Sequence, residues 1–367
     1  MCTNHTTILE KPEGQADLTP EQQEFSDRLL TIANHGAVSL MISVGHRTGL
    51  FDALNDGESV TSEQLAAKAG LDERYVREWL GAMATGGIVE IDAARDSFRL
   101  PPDGACFLGR EAALGNMAGM FQFIPVLGNV EDRIVDCFRT GGGVPYEAYD
   151  RFHECMAEES DGTVVAALED HILPLAPGIE AKLEAGIEVA DIGCGSGHAL
   201  NRLAALYPAS RFTGYDLCEE TVIAATEEAA RLGLGNVRFE KQDATLLEGE
   251  ELFDLIFTFD AVHDQAQPAT VLAHIRRLLK QDGVYLMQDI DAATGIANNL
   301  DKPMAPFIYT ISCLHCMTVS LAQGGVGLGA AWGAELAEAM LKEAGFGGIA
   351  LHRLPHDMMN LYFVCRP

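Results

Sequence analysis

Apolar positions recur along this chain with two different rhythms, helical up to about residue 185 and short and alternating after it. A helical pattern begins at Pro20. After a break at Gly36, the run Ala37, Leu40, Met41, Val44 and Leu50 with Phe51 predicts a second, buried helix. Thr61 with Gln64 three residues on caps a short helix that Gly70 ends, and Asp72 opens the helix ERYVREWLGAMATGG, closed by Gly86 and Gly87. Ile88 to Ile91 and Phe98 to Leu100 read as two strands around the turn 92–97, which completes the punctuation of a winged helix. Residues 103–183 are mainly helical, with a glycine joint at Gly141 to Gly143 and a long helix pattern from Tyr146 to about Leu173. From Gly186 onward, apolar runs alternate with amphipathic helices, the pattern of a parallel α/β sheet.

The first of those runs, Ile187 to Ile192, includes Asp191 and meets the turn Gly193-Cys194-Gly195-Ser196-Gly197, followed by a helix from Ala199 through Tyr207. Glycine has no Cβ, so a ligand can lie against bare backbone in such a turn. A dinucleotide fingerprint needs glycine at its first, third and sixth positions, whereas here the sixth is His198 and the fifth is Gly197. Hydride chemistry on NAD therefore loses ground. The second strand, Arg211 to Tyr215, ends in Asp216, where a carboxylate can accept both hydroxyls of a ribose. The third, Val237 to Glu240, runs into Gln242-Asp243-Ala244, which places a further carboxylate where an adenine amino group could donate. Each acid alone reads equally well as a helix cap or a solvated turn. Three consecutive strands with such ends point to a nucleoside site.

Charge narrows the partners. The chain has 367 residues, 54 acidic against 25 basic, and a net charge of −29, with 48% apolar residues, enough for real cores. Such a polyanion repels nucleic acid and anionic lipid. Residues 1–100 hold 8 Lys or Arg and 16 Asp or Glu, and Arg74 and Arg77 on the candidate recognition helix are offset by Asp72, Glu73 and Glu78. The winged helix is therefore expected to pack against a partner subunit rather than DNA. Nine cysteines, odd in number and scattered through apolar segments, fit reduced thiols. The first thirty residues lack a basic region followed by an apolar stretch, and nowhere do 18 uncharged apolar residues run together, so a soluble, cytoplasmic protein is expected.

The runs VADIGCGSGHALNRLAALYP, FTGYDL, FEKQDA and FDLIFTFDAVHD resemble the class I S-adenosylmethionine-dependent methyltransferases across residues 186–367. The resemblance implies an α/β fold, a Rossmann-like methyltransferase sheet with helices on both faces. It implies S-adenosyl-L-methionine as cofactor and S-adenosyl-L-homocysteine as product. Asp191, Gly193 and Gly195 then hold the methionine part, Asp216 the ribose and Asp243 the adenine amine, with Gly197, Leu217, Ala244 and Phe259 beside them. The layout of winged helix, helical connector and catalytic domain is similar to that of the plant phenolic O-methyltransferases and their bacterial small-molecule relatives. Their segment F-N-x-x-M-x-x-x-S is matched by Phe152 to Ser160, with His153 in place of Asn, so Met156 and Ser160 are expected to face the cofactor and Phe152 the substrate. The fourth strand, Phe253 to Phe259, leads into Asp260-Ala261-Val262-His263-Asp264, and the same likeness makes His263 a general base oriented by Asp264. An imidazole of pKa near ~6.5 can take the proton of a hydroxyl near ~10 as the methyl moves. Asp289, ending strand five, stands for one of two acids that frame the base in the plant enzymes. Gln265 stands where a Trp often follows, and Ala331 and Trp332 occupy the region of the second acid. A structural reading of His263, bonded to a backbone carbonyl, stays open.

Pro303 to Leu321 reads as an amphipathic lid helix, hinged by Gly324 to Gly329, with Tyr309, Cys313 and Met317 expected at the substrate. Cys313-Leu314-His315-Cys316 lacks a second ligand pair, so no metal is expected. The hairpin Ile349 to Leu354 and Leu361 to Cys365 closes the sheet, with His356-Asp357 read as a solvated loop. The expected division is a flexible arm at 1–20, a winged-helix dimerisation domain at 21–102, a connector and cofactor cap at 103–183, and a methyltransferase domain at 184–367 with a lid insertion at 292–330. The function expected is methyl transfer to a small molecule by a homodimer, without nucleic acid or membrane. Oxygen is favoured as acceptor because of His263, with sulfur as the alternative. Two readings from other classes are a cofactor-sensing DNA-binding regulator and a methyltransferase-like fold doing non-methyl chemistry such as decarboxylation.

Overall fold

The computed structural model describes residues 18–112 and 115–367, which divide into two units at Leu114/Gly115. Most of the expected arm at 1–20 therefore lies outside the described residues. In the first unit, Thr19 and Gln22 form a capping box that starts helix α1, Pro20–Thr48. This helix runs unbroken through Gly36, because one interior glycine costs only about 1 kcal/mol. The buried second helix expected after Gly36 is thus the far end of α1, where Ile42, Ser43, Gly45 and His46 are buried. Phe25, Leu29, Leu30, Ile32, Leu40 and Val44 are exposed along it.

Gly49 ends α1 in the left-handed region, and α2 (Leu50–Leu54), α3 (Ser62–Ala69) and α4 (Glu73–Thr85) follow, the last two capped by Thr61 and Asp72. β1 (Glu90–Asp92) and β2 (Ser97–Arg99) pair antiparallel as the wing, and α5 (Pro102–Leu108) closes the unit. Leu50, Phe51, Leu54, Leu65, Leu80 and Met83 are buried with Trp79, whose indole N–H donates to Met41 O at 2.8 Å. On α4, Arg77 is bound to Glu73 at 2.6 Å and Arg74 to Glu78, so each guanidinium is neutralised by its own helix.

The second unit opens with helices that lead to the sheet. These are α6 (Phe123–Gly128), α7 (Glu131–Thr140), α8 (Phe152–Thr163) and α9 (Ile179–Ala185). The long helix expected from Tyr146 to Leu173 is not continuous: α8 stops at Thr163, and a 3-10 turn, a π turn at 168–172 and another 3-10 turn follow. Changing the pitch keeps Leu168, Ile172 and Leu173 all in the core, which one regular helix face would not.

The remaining elements are β3 (Glu188–Ile192), α10 (His198–Leu206), β4 (Arg211–Asp216), α11 (Glu219–Arg231), β5 (Val237–Lys241), β6 (Phe253–Phe259), α12 (Pro268–Leu278), β7 (Leu279–Ile290), α13 (Ala305–Ile311), α14 (Met317–Ala322), α15 (Ala334–Glu343), β8 (Gly348–His352) and β9 (Asn360–Arg366). The sheet order is β5-β4-β3-β6-β7-β9-β8. Strands β3 to β7 run parallel and β9 enters antiparallel between β7 and β8. Helices cover both faces, so Val189, Ala190, Leu255, Ile256 and Phe257 are buried whichever way they point.

A π turn at 312–316 joins α13 to α14 into one run, 305–322. By length and composition this run could cross a membrane; here Ile308, Cys316 and Val319 pack into the unit's own apolar clusters. The loop before β9 differs from the solvated turn expected at His356-Asp357. Asp357 is buried and accepts the Tyr362 hydroxyl at 2.8 Å, because a carboxylate at this sheet end serves several donors left unpaired by the strands.

Candidate active site

Parallel strands expose their carboxyl ends on one edge, where ligands bind in open α/β sheets. Here β3 delivers Asp191 and the turn Gly193 to Gly197 to that edge. Gly193, Gly195 and Gly197 take φ of +78°, +51° and +70°, and a Cβ on Gly193 would sit 2.4 Å from that of Ala261. One on Gly197 would meet the Phe239 ring at 2.5 Å. The turn is pinned from β4: Tyr215 O accepts from Gly193 and Cys194 N–H, and Asp216 accepts from Gly195 N–H at 2.8 Å and Cys218 N–H at 2.8 Å. Asp191 is 2% exposed, and its Oδ1 has no partner. Burial, and then the charge of Asp216, push its carboxyl up to about 8.

A cavity of about 230 Å³ opens beside the turn. Phe152, Met156, Ser160, Asp191, Gly193, Gly195, Gly197, Asp216, Leu217, Phe259, His263 and Asp264 all line it. Asp243 and Ala244 line an adjoining hollow of about 160 Å³ that shares Gly193, Asp216, Leu217 and Gln265 with the first. Asp243 Oδ1 takes both the N–H and the hydroxyl of Thr245, at 2.8 and 2.7 Å.

The base region departs from expectation in its wiring. His263 is buried, with Nδ1 2.8 Å from Oδ1 of Asp289, which also accepts Trp332 Nε1–H at 2.9 Å and Ile290 N–H at 2.8 Å. Asp289, not Asp264, orients the imidazole, because β6 and β7 are adjacent and their ends face each other. Asp264 instead accepts the Tyr146 hydroxyl at 2.6 Å, and burial lifts its carboxyl to about 6 against the pull of His263 and then Tyr146. Burial opposes a charge on His263, yet Asp289, followed by Cys316, holds its pKa well above the usual imidazole value.

The lid segment needs a correction. Tyr309, Cys313 and Met317 do not line the cavity; Phe307, Ile311, His315 and Cys316 do. The inner face runs 307, 311, 315, and the π turn at 312–316 adds the residue that brings Cys316 onto it. Tyr309 bonds Asn299 at 3.3 Å, Cys313 packs against the connector cluster, and Met317 abuts the loop at Gly327 and Gly329. His315, 2% exposed and without a hydrogen-bond partner, stacks on Phe152 with centroids 3.5 Å apart, and burial drives its pKa well below the usual value. Tyr146 escapes a reading of the sequence because nothing local marks it: 118 residues separate it from its partner Asp264.

The sheet order, the glycine turn and the acids at three successive strand ends define a class I methyltransferase domain. An orphaned buried carboxylate at Asp191 suits a ligand ammonium, and the cradle at Gly193 and Gly197 has no room for a Cβ, so the residues present fit S-adenosylmethionine, its cofactor. Comparisons with known proteins agree. Residues 183–340 match a family described as "Methyltransferase domain", and residues 36–110 one described as "Rv2258c-like winged HTH domain". The chain thus joins a winged helix-turn-helix domain to a methyltransferase domain. It is 34% identical over 110 residues to the uncharacterized methyltransferase YcgJ of Bacillus subtilis, covering 30% of this chain and 43% of that one, less than half its length. The fold is similar to human N-acetylserotonin methyltransferase in complex with SAM (TM-score 0.66, 16% identity, 95% of this chain and 99% of that one). It is also similar to an O-methyltransferase family protein from Burkholderia thailandensis (TM-score 0.65, 18% identity, 95% and 99%).

Proposed function

We propose that this protein methylates a hydroxyl oxygen of a small molecule, using S-adenosylmethionine. The observation that carries the reading is the buried His263, bonded to Asp289 behind it and lining the same cavity as the glycine turn. When bound, the cofactor supplies a methyl group on a sulfonium that leaves without acid assistance. Asp191 and the turn hold its amino-acid part, Asp216 and Leu217 its ribose, Asp243 and Ala244 its adenine, and Met156, Ser160 and Phe259 pack beside it. His263, its Nδ1–H held by Asp289, takes the hydroxyl proton on its other ring nitrogen, a contribution of about 10²–10⁴ in rate. Phe152, Phe307, Ile311 and His315 exclude water and align the acceptor, which is most of what methyl transfer asks of a protein.

A thiol acceptor would need less help from a base and stays the alternative. Release of S-adenosylhomocysteine from panels of phenols and thiols tests the reading, and full activity in His263→Ala would overturn the base assignment. The exposed apolar residues Phe25, Leu29, Leu30 and Ile32 of α1 suit burial against a second copy of the chain, so the proposal includes a cytoplasmic homodimer. The paired arginines of α4 support this over a DNA-binding regulator.

A further inference from the structure

Where β6 and β7 end beside the start of β9, the cavity wall carries acceptors that no described group satisfies. Gln288 and Asn360, 1% and 6% exposed, both line the cavity. Each donates its amide N–H to Oδ2 of Asp357, at 3.3 and 3.1 Å. Asp357 is anchored in turn by the Tyr362 hydroxyl and by the N–H groups of Met359 and Asn360. With both amide nitrogens committed to one buried carboxylate, the orientation of each amide is set. Oε1 of Gln288 and Oδ1 of Asn360 are buried, and neither has a partner.

Asp260 adds a third. It sits at φ +49°, its N–H bonded to Gln288 O at 3.1 Å, and its Oδ1 is buried and unpartnered. A strained non-glycine residue at a cavity is a common mark of function. Glu159, Asp191, Asp216 and Asp264 share the cavity with it, and no Lys or Arg among the described residues lines it. Burial, reinforced by Asp289 against the pull of His263, pushes the Asp260 carboxyl well above the usual range. A cation beside it would offset that cost of burial. An ammonium offers three N–H donors and no acceptor, and the unpartnered oxygens here, one of a carboxylate and two of amides, are acceptors.

We infer that the methyl acceptor carries a protonated amine, and that Asp260, with Gln288 and Asn360 held by Asp357, forms the site that selects it. The inference rests on the reading that acceptors are methylated in this cavity. It disfavours acceptors whose anchoring group is a carboxylate or phosphate, because no Lys or Arg among the described residues lines the cavity to pair with one.

The test uses the full-length protein loaded with S-adenosylhomocysteine and titrated calorimetrically with tyramine and shorter and longer aminoalkylphenols, each against its neutral alkylphenol. The expected result is at least tenfold tighter binding of an amine than of its neutral match. In Asp260→Asn that ratio falls to near one, while affinity for S-adenosylhomocysteine stays within threefold. Equal binding of amine and neutral probes by the unaltered protein, or no binding by any amine, overturns the inference whatever the variant does. A variant that keeps the ratio but loses tenfold or more in S-adenosylhomocysteine affinity overturns it too, because Asp260 would then serve the cofactor. So does a stoichiometric metal in the purified protein that the variant lacks, since Asp260, His263 and Asp289 bring ligand atoms within 4.8 Å of one another. Failure of the methyl-transfer reading shows separately, as retained amine selectivity with no S-adenosylhomocysteine formed from S-adenosylmethionine. Methyl found on the amine nitrogen keeps the amine site and overturns the oxygen assignment.

Discussion

Replacing Asp289 by Asn separates the two services this residue gives His263, orientation and charge. Its Oδ1 accepts three donors at once, His263 Nδ1–H at 2.8 Å, Trp332 Nε1–H at 2.9 Å and Ile290 N–H at 2.8 Å. In Asp289→Asn the indole and backbone donors hold the amide oxygen in that place, so the imidazole keeps the same tautomer and only the charge is lost. A hydrogen bond to a charged group contributes about 1.5–3 kcal/mol and a neutral one about 0.5–1.5, so the loss is about 1–2 kcal/mol. At about 1.4 kcal/mol per decade, kcat falls roughly 5- to 30-fold. An amide that turned the ring to the wrong tautomer would cost about 10⁴. The amide nitrogen would occupy the place of Oδ2, which has no partner now, so the variant also loses about 1–3 kcal/mol of stability, partly offset by removing a buried charge. The pH profile adds an independent readout. The active form is neutral His263, and Asp289 holds its pKa above the usual value. The acid limb of kcat/KM therefore lies above pH ~6.5 in the unaltered protein and moves to lower pH in the variant, where the imidazolium has lost its counter-charge. Single-turnover rates across pH on folded protein decide the matter. A thousandfold loss refutes the orientation argument, and an unchanged rate with an unmoved limb refutes any part for Asp289 in the reaction.

Cofactor affinity should weaken on acidification through about pH 8, since the ammonium needs Asp191 ionised and the carboxyl is half protonated there. Titration at pH 6 and pH 9 is expected to differ by about 100-fold, with proton release on binding at pH 7, and Asp191→Asn should flatten the dependence. Gly193→Ala combines a left-handed φ with a Cβ 2.4 Å from that of Ala261, so urea unfolding should show a loss of about 2–5 kcal/mol together with weaker cofactor binding. Tyr146→Phe removes the donor that lowers Asp264, and the carboxyl should titrate above about 6, with roughly 1–2 kcal/mol of stability lost on thermal melting. Leu29→Glu with Ile32→Glu on α1 should convert the proposed dimer to monomer in light scattering and leave the far-UV signal in place.

What the sequence makes legible is whatever short-range chemistry decides. Thr61 with Gln64, Gly70 and Asp72 mark their helix ends as expected, since a cap acts over three residues. The strand-end acids Asp191, Asp216 and Asp243 can be read in order because a parallel sheet puts successive strand ends on one edge. Gly36 misleads for the opposite reason: its cost of about 1 kcal/mol is local, and the 29-residue helix around it outweighs that cost. Helical phase in the lid is lost at 312–316, where a π turn shifts the inner face by one residue, and no periodicity count registers such a turn. The largest misreading is Asp357. Beside His356 it has the composition of a surface turn, and its partners Gln288, Asn360 and Tyr362 meet it only once β7 and β9 are paired. Pairing of β7 with β9 commits two amide nitrogens to one carboxylate, leaving their oxygens for a ligand. The polarity of the cavity wall, and with it the charge of the molecule it selects, is therefore set by strand order and not by any motif.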